Sequence, residues 1–236
     1  IFIGDQAHVP YGSRSQDEIR DFSEKITNFL IDKGCKIIVV ACNTASAASL
    51  HFLREKYPDV LFVGMEPAIK PAAESTETGK VGVLATPATF QGELYNSVVE
   101  RFAHNTEIFK DTCPGLVEQI EKGEFNTEKT KEILRKALTP MLIEGIDTVV
   151  LGCTHYPLAI SAIKEIVGNE IKVIDPTGAI VKRVSSLIEE NEIGNDKSEG
   201  VVEIMTSLKK ENMKLVADKL FGDDIEVEEI KWGKDL

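Results

Sequence analysis

The feature of this sequence that most constrains its fold is a short apolar run that ends on a cysteine and occurs twice. The first run, Lys36 to Ala41, leads into Cys42-Asn43-Thr44, and the second, Thr148 to Leu151, leads through Gly152 into Cys153-Thr154-His155. Runs of this length, rich in β-branched residues and flanked by helical patterns, are typical of buried parallel strands. Each copy therefore predicts a strand whose carboxyl end presents a thiol to the start of a helix.

The segments downstream of the two runs also resemble each other. Val63-Gly64-Met65-Glu66-Pro67 corresponds to Val173-Ile174-Asp175-Pro176, which we interpret as a weak internal duplication. Strand and helix patterns alternate along the chain, and this alternation predicts mostly parallel sheets flanked by helices. The expected architecture is α/β with two similar domains. Residues 1–66 with 176–236 form a discontinuous first domain, and residues 67–175 form the second.

Local signals place the remaining elements. Ser15 and Glu18 form a capping-box pattern before a helix whose predicted apolar face consists of Ile19, Phe22, Ile26, Phe29 and Leu30. A strand is expected over 80–85, and a helix from there to about residue 102. The last part of the chain predicts a helix ending near 190, a polar loop over 191–200, a strand over 201–205, a helix over 209–221 and a strand over 225–230.

The composition narrows the class of function. The chain has 236 residues and a formal net charge of −12 at pH 7, which argues against nucleic acid or an anionic membrane as a partner. No apolar run approaches the length that spans a membrane. The four cysteines show no CxxC spacing, and in a chain of this size they are expected to be reduced thiols of a cytoplasmic protein.

Two thiols on opposite walls of one cleft suit the inversion of a stereocentre. The two cysteine loops are expected to face each other across the interdomain cleft, a usual place for a small-molecule site. The start of a helix favours a thiolate, so one sulfur can remove a proton from Cα while the other returns one to the opposite face. Asn43, Thr44 and Thr154 can donate hydrogen bonds to a substrate carboxylate. Such a reaction needs no metal and no organic cofactor if the site stabilises the carbanion.

Each of these residues also has a purely structural interpretation. A single cysteine after a strand is most often a small core residue, and His155 is equally well explained as a loop histidine. Thr86 and Thr89 fit helix caps, and Glu121 fits a solvated surface carboxylate. A zinc site at Cys153 and His155 lacks a third and fourth ligand at metal spacing. The matched pair of cysteines in a duplicated context is the observation that favours a functional site.

Three motifs together resemble the glutamate racemases, within the cofactor-independent aspartate/glutamate racemase superfamily. They are Pro10-Tyr11-Gly12-Ser13, Ala41-Cys42-Asn43-Thr44-Ala45 and Gly152-Cys153-Thr154-His155-Tyr156-Pro157-Leu158. The resemblance covers essentially the whole chain, and the Cys-Thr-His-Tyr-Pro form is similar to the glutamate branch rather than the aspartate branch. It implies two similar α/β domains with the active site between them. The implied reaction interconverts L- and D-glutamate and supplies D-glutamate for bacterial peptidoglycan.

The resemblance also implies roles for individual residues. Cys42 and Cys153 match the two catalytic acid/base cysteines, and His155 matches the histidine that assists the second one. Glu121 matches a carboxylate near that histidine. The positions that match substrate contacts are Tyr11, Gly12, Asn43, Thr44, Thr86, Thr89 and Thr154. The implied substrate is a small molecule, no metal or organic cofactor is expected, and the expected assembly is a homodimer.

One part of the family pattern is absent from this sequence. The family begins with a strand and an Asp-Ser-Gly loop about thirty residues before Pro-Tyr-Gly, a separation of the usual strand-plus-helix size. Here only residues 1–9 precede Pro10, and they start within a predicted strand. In the family that aspartate assists the first cysteine, and the serine contacts substrate. We therefore expect either a fragment or a damaged racemase, in which Cys42 lacks its partner and the first sheet lacks an internal strand.

Three other functions stay open from the sequence alone. An aspartate or other amino-acid racemase would use the same two thiols, and a panel of substrates would identify it. An inactive amino-acid-binding protein would bind substrate without exchange at Cα. A cysteine hydrolase built on Cys153 and His155 would form a covalent acyl-enzyme, although it would leave Cys42 without a role.

Overall fold

The computed structural model describes residues 1–194, 200–222 and 224–236, in which strands and helices alternate. The strands are β1 (Phe2–Gly4), β2 (Ile37–Val40), β3 (Leu61–Gly64), β4 (Lys80–Ala85), β5 (Glu107–Asp111), β6 (Thr148–Gly152), β7 (Lys172–Ile174), β8 (Ile204–Thr206) and β9 (Val227–Glu229). The helices are α1 (Gln16–Asp32), α2 (Asn43–Lys56), α3 (Ile69–Ser75), α4 (Pro87–Gln91), α5 (Glu93–Phe102), α6 (Leu116–Glu121), α7 (Glu128–Ile143), α8 (Ile160–Val167), α9 (Thr177–Glu190) and α10 (Lys210–Phe221). The strand pairs in these ranges are parallel, which confirms the predicted α/β class. No helix in the same ranges is long and apolar enough to cross a membrane.

The four strands between residues 80 and 174 form one sheet in the order β5-β4-β6-β7. β6 is an inner strand of this sheet, and its five residues are all buried. Its side chains alternate between the two faces. Val149 and Leu151 pack with α6, α7 and α8, whereas Val150 packs with α3 and α5. The predicted buried strand before Cys153 is therefore confirmed.

The remaining five strands form two smaller sheets, β1-β8-β9 and β2-β3. Among the described strands β2 pairs only with β3, and only Ile38 of its four residues is buried, while Val39 is 37% exposed. The prediction of a parallel strand over 36–41 is confirmed, but the prediction that it is buried is wrong. A two-stranded sheet offers too few neighbours to cover both of its faces.

The first helix begins as predicted but buries a different face. Ser15 and Glu18 form the predicted capping box. The buried line of α1 is Ile19, Ser23 and Thr27. The other residues of the predicted apolar face are only partly buried, namely Phe22, Ile26, Phe29 and Leu30. α1 packs against α2, and small side chains along the contact let two helices approach closely.

Some element predictions differ from the structure in detail. The helix expected up to residue 102 is divided into α4 and α5 at Gly92, whose backbone is extended with φ −70° and ψ 141°. The sequence patterns do not predict α3 or β5, because α3 is short and β5 is a partly exposed edge strand. The predicted loop over 191–200 includes residues 195–199, which lie outside the described ranges.

The sheets separate along the chain in the way the predicted domains do. The sheet β5-β4-β6-β7 lies wholly within residues 67–175, and the two smaller sheets lie wholly outside that range. The exact boundaries at 66/67 and 175/176 stay predictions. We call the part formed by residues 1–66 and 176–236 the first half, and residues 67–175 the second half.

Candidate active site

Cys153 lies at the edge where the carboxyl ends of β4 and β6 come together. Ala85 is opposite Gly152 in the strand register, so Thr86 and Cys153 follow at the same edge of the sheet. A Cβ atom at position 152 would lie 2.9 Å from Cβ of Ala85 and 3.1 Å from the carbonyl oxygen of Leu84. Glycine is therefore required for the close approach of these two strands, and that approach fixes the separation between Thr86 and Cys153.

His155 connects Cys153 to Glu121 of α6. Nδ1 of His155 lies 3.8 Å from Sγ of Cys153, and Nε2 donates to Oε1 of Glu121 at 2.6 Å. Burial alone would lower the pKa of His155, but its hydrogen bonds with Cys153 and Glu121, and the charges of both, raise that pKa to about 10. Burial works to raise the pKa of Glu121, but hydrogen bonding to His155, the charge of His155 and a hydrogen bond from Gln6 lower it. At neutral pH an imidazolium therefore lies beside the sulfur of Cys153.

Cys42 is surrounded by hydrogen-bond donors rather than by charged side chains. It is the N-cap of α2, and its sulfur accepts a hydrogen bond from the backbone N–H of Ala45 at 3.4 Å. The residue is partly exposed, but enclosure of its thiol raises the pKa of Cys42 to about 11. Hydrogen bonds from Ala45 and Thr44 oppose this rise, and the charge of Cys153 adds to it. The two thiols are thus close enough for the charge of Cys153 to act on Cys42, and Cys42 is protonated at neutral pH.

Three threonine hydroxyls join the loop after β4 to the start of α2. Oγ1 of Thr44 lies 2.9 Å from Oγ1 of Thr86 and 3.3 Å from Oγ1 of Thr89, and the last two atoms are 3.0 Å apart. Thr86 is the N-cap of α4, but its side chain makes no capping hydrogen bond. Gly12 packs against this threonine triangle, because a Cβ atom at position 12 would lie 3.0 Å from Cβ of Thr86.

Asn43 presents a buried amide without a partner. Asn43 is 2% exposed, and neither its side-chain nitrogen nor its oxygen has a hydrogen-bond partner among the residues that the structure describes. Leaving such a group unpaired costs free energy, which a bound ligand can offset. Because Asn43 follows Cys42 directly, this unpartnered amide belongs to the residue next to the first thiol. Thr154, next to Cys153 in the sequence, is half-buried.

Tyr11 is held by a carboxylate that the sequence patterns did not reveal. Its hydroxyl donates to Oδ2 of Asp5 at 2.6 Å. Burial, followed by the charge of Asp5, raises the pKa of Tyr11. Asp5 also accepts hydrogen bonds from His8, Ser207 and Trp232. Tyr11 and Cys42 pack against the same cluster of buried side chains, so the Asp5 network fixes Tyr11 near the first thiol.

The site residues that the sequence patterns missed follow the ends of β1 and β8. Asp5 and Gln6 come directly after β1, and Ser207 comes directly after β8, its parallel partner. The carboxyl ends of parallel strands meet at one edge of a sheet. Asp5, Gln6 and Ser207 therefore occupy the same kind of position, after the carboxyl end of a parallel strand, that predicts a site at Cys42 and Cys153.

The structure gathers the predicted site residues into two groups. One group contains Cys153, Thr154, His155 and Glu121, and the other contains Tyr11, Gly12, Cys42, Asn43, Thr44, Thr86 and Thr89. The charge coupling between Cys42 and Cys153 joins the groups. The catalytic and binding roles of these residues stay predictions.

Most of the chain is similar in sequence to known proteins. Residues 1–184 match the family model of Asp/Glu/hydantoin racemases. The chain is 47% identical over 190 residues to a glutamate racemase of Roseiflexus sp. strain RS-1, a match that covers 80% of this chain and 70% of the relative. It is 40% identical over 222 residues to a glutamate racemase of Pseudomonas paraeruginosa, with 94% of this chain and 84% of the relative covered.

Solved structures show the same fold at lower identity. The glutamate racemase of Escherichia coli in complex with L-glutamate superposes with a TM-score of 0.85 at 31% identity, over 97% of this chain and 87% of that one. A glutamate racemase isoform of Bacillus anthracis gives 0.84 at 31% identity, over 98% and 86%. The parallel α/β fold and these similarities define an isomerase of the amino-acid racemase class. The chain belongs to the Asp/Glu/hydantoin racemase family.

Proposed function

We propose that this chain interconverts L- and D-glutamate by transferring protons at Cα between Cys42 and Cys153. The observation that carries the proposal is the pair of thiols. Each follows the carboxyl end of a parallel strand, and their ionisations are coupled. Glutamate racemase is the name of relatives at 47% and 40% identity, and the E. coli neighbour binds L-glutamate.

In the proposed turnover one thiol acts as the base and the other as the acid. The thiolate of Cys153 takes the Cα proton of one enantiomer, so that the C–H bond breaks and an S–H bond forms. The electron pair stays on Cα and is delocalised into the α-carboxylate. The S–H bond of Cys42 then breaks, and its proton is added to the opposite face of Cα. The product is the other enantiomer, and the negative charge has moved from Cys153 to Cys42, from which the reverse reaction starts.

The donors around the two thiols suit a dicarboxylic amino acid. The amide of Asn43 offers both a donor and an acceptor, which fits a substrate that has carboxylates and an ammonium group. The threonine triangle offers three hydroxyls, and Thr154 offers another next to Cys153. Tyr11 and Gly12 close the side next to the triangle.

The wider biological role follows from the resemblance of the three motifs. The D-glutamate that this reaction forms serves peptidoglycan synthesis in the cytoplasm. The reaction uses no metal and no organic cofactor, because the two sulfurs supply both the acid and the base. We also assign the protein a homodimeric state, which measurement of the molar mass in solution checks.

The experiment that tests the proposal is deuterium incorporation at Cα in heavy water, with L-glutamate and D-glutamate as separate substrates. Both enantiomers are expected to incorporate deuterium and to racemise. L-aspartate is expected to react roughly 100-fold more slowly, because its shorter side chain misplaces Cα by about one carbon–carbon bond when its distal carboxylate is bound.

Other outcomes identify the rival functions. Faster exchange of aspartate than of glutamate would identify an aspartate racemase. Calorimetric binding of glutamate without exchange would identify an amino-acid-binding protein. A mass increase on Cys153 with an acyl substrate would identify a hydrolase. Each of these outcomes contradicts the proposed function.

A further inference from the structure

We propose that Gln6 is a positioning residue that orients Glu121 toward His155 from the opposite half of the molecule. Gln6 follows β1 in the first half, whereas Glu121 and His155 belong to the second half. The inference deepens the proposed function and rests on it for its kinetic test. Gln6 does not touch the reacting atoms, so it acts only through Glu121.

The two oxygens of Glu121 are shared between the two halves. Oε2 accepts a hydrogen bond from Nε2 of Gln6 at 2.7 Å, and Oε1 accepts one from Nε2 of His155 at 2.6 Å. A carboxylate held at both oxygens has one orientation, whereas one held at a single oxygen can rotate. The bond from Gln6 therefore keeps Oε1 aimed at the imidazole.

Thr206 determines which end of the Gln6 amide, the carbonyl or the NH₂ group, faces Glu121. Thr206 is fully buried, and its hydroxyl oxygen accepts a hydrogen bond from the backbone N–H of Leu208 at 3.2 Å. Its proton is directed to Oε1 of Gln6 at 3.0 Å. The carbonyl of Gln6 must then face Thr206, and its NH₂ group must face Glu121. A continuous series of contacts thus runs from β8 through Gln6 to Glu121, His155 and Cys153.

A second contact between the halves provides a control. Nζ of Lys219 on α10 donates to the carbonyl oxygen of Gly123, just beyond the end of α6, at 2.6 Å. This bond also holds the segment that carries Glu121, but it does not touch the carboxylate. Removing the bond from Lys219 tests whether the pKa of His155 depends on any contact that holds α6 against the first half, or on the amide of Gln6 in particular.

The expected consequence of losing the amide is a weaker imidazolium. The titratable groups that face His155 are Glu121 and Cys153, and the charge of Cys153 acts in turn on Cys42 and Cys113. Without the bond from Gln6, the carboxylate is less well aimed at the ring, so it stabilises the protonated imidazole less. The pKa of His155 then falls from about 10 toward its ordinary value.

The test compares Gln6→Met, which keeps the length of the side chain, and Gln6→Leu with two controls, Lys219→Ala and the exposed Gln16→Leu. The first readout is the NMR titration of the His155 ring, assigned with His155→Gln. The second is the pH dependence of kcat/KM for glutamate. Both Gln6 variants are expected to lower the His155 pKa by about half a unit or more. They should move the alkaline fall of kcat/KM by the same amount and lower kcat about tenfold, with KM changed by less than about twofold.

The outcomes separate this inference from the proposed function. An unchanged His155 titration in folded Gln6→Met overturns the positioning role, and so does an equal shift in Lys219→Ala. A shift confined to the Gln6 variants supports it. If the unmodified protein does not racemise glutamate, the proposed function fails, but the NMR titration still decides whether Gln6 controls His155.

Discussion

The two thiols of the site differ in what surrounds them. Cys153 lies beside a charged pair, His155 and Glu121, whereas Cys42 is held by backbone and hydroxyl donors at the start of α2. A charged partner interacts with a thiolate more strongly than neutral donors do, so the two sulfurs lie in electrostatically different surroundings. The difference teaches that a reaction whose substrate and product are mirror images can be carried out by two groups with different surroundings.

Thermodynamics limits where this asymmetry can be observed. Two enantiomers have the same free energy in water, so the equilibrium constant is one and kcat/KM must be equal in the two directions. The difference between the thiols therefore appears in kcat and in the isotope effects measured with Cα-deuterated substrates. We expect the larger isotope effect for the enantiomer that Cys42 deprotonates, because that step first requires an uphill ionisation of the thiol.

The largest effect is expected from removing either sulfur. Cys42→Ser and Cys153→Ser should each lower racemisation by about a thousandfold or more, because a serine hydroxyl is a far weaker acid than a thiol. Each variant should still exchange the Cα proton of the one enantiomer that its remaining cysteine deprotonates. Circular dichroism checks that the fold is kept. Unchanged turnover in either variant would rule out the two-thiol mechanism.

The next largest effect is expected from neutralising the charged pair. Glu121→Gln removes the negative partner of His155, so the His155 pKa should fall from about 10 by about one unit or more. The ring is protonated below its pKa, and the alkaline fall of kcat/KM should therefore move to lower pH. We expect kcat to fall about 30-fold. The control is Glu118→Gln, an exposed carboxylate on the same helix, which should leave the profile in place.

The strands that carry the two cysteines should differ in their contribution to stability. Val150 in β6 is fully buried, and Val39 in β2 is 37% exposed. Val150→Ala should lower the free energy of unfolding by about 2 kcal/mol, and Val39→Ala by less than about 0.5 kcal/mol. Denaturant unfolding of the two variants measures both values. Equal losses would show that β2 is as well packed in solution as β6.

The smallest effect is expected on the side of Cys42. Thr44→Val removes a hydroxyl that donates to Cys42 and also belongs to the threonine triangle, whereas Thr89→Val removes only a member of the triangle. We expect Thr44→Val to lower kcat about tenfold and to increase the isotope effect for one enantiomer. Thr89→Val should raise KM without changing the ratio of the two isotope effects. An equal ratio of the two isotope effects in Thr44→Val and Thr89→Val would mean that Thr44 does not act on the thiol of Cys42.

The sequence predicted the α/β class and the strands before both cysteines, because buried apolar runs and helix caps are local signals. It did not predict how completely neighbouring strands and helices bury each of these strands. Val39 and Val150 both lie in apolar runs rich in β-branched residues, and the exposure of each depends on how many strands join its sheet. The pairing of His155 with Glu121, 34 residues apart, came from the family resemblance. Asp5 and Gln6 carry no local signal beyond their position after a strand. Both partners of Gln6 lie more than a hundred residues away, and so do Ser207 and Trp232 among the partners of Asp5.

The contact between Gly152 and Ala85 has a consequence for which molecules the site can accept. The ends of β4 and β6 approach so closely that no side chain fits at position 152. The spacing of Thr86 and Cys153, which follow these strand ends, is therefore held within narrow limits. We expect a dicarboxylate that is one methylene shorter or longer to fit that wall poorly, in agreement with the slower reaction expected of L-aspartate. Any adaptation is expected to come from the side of β2, which pairs with β3 alone among the described strands. Substitutions that change the preferred length of the substrate are therefore expected in the first half of the molecule rather than around Cys153.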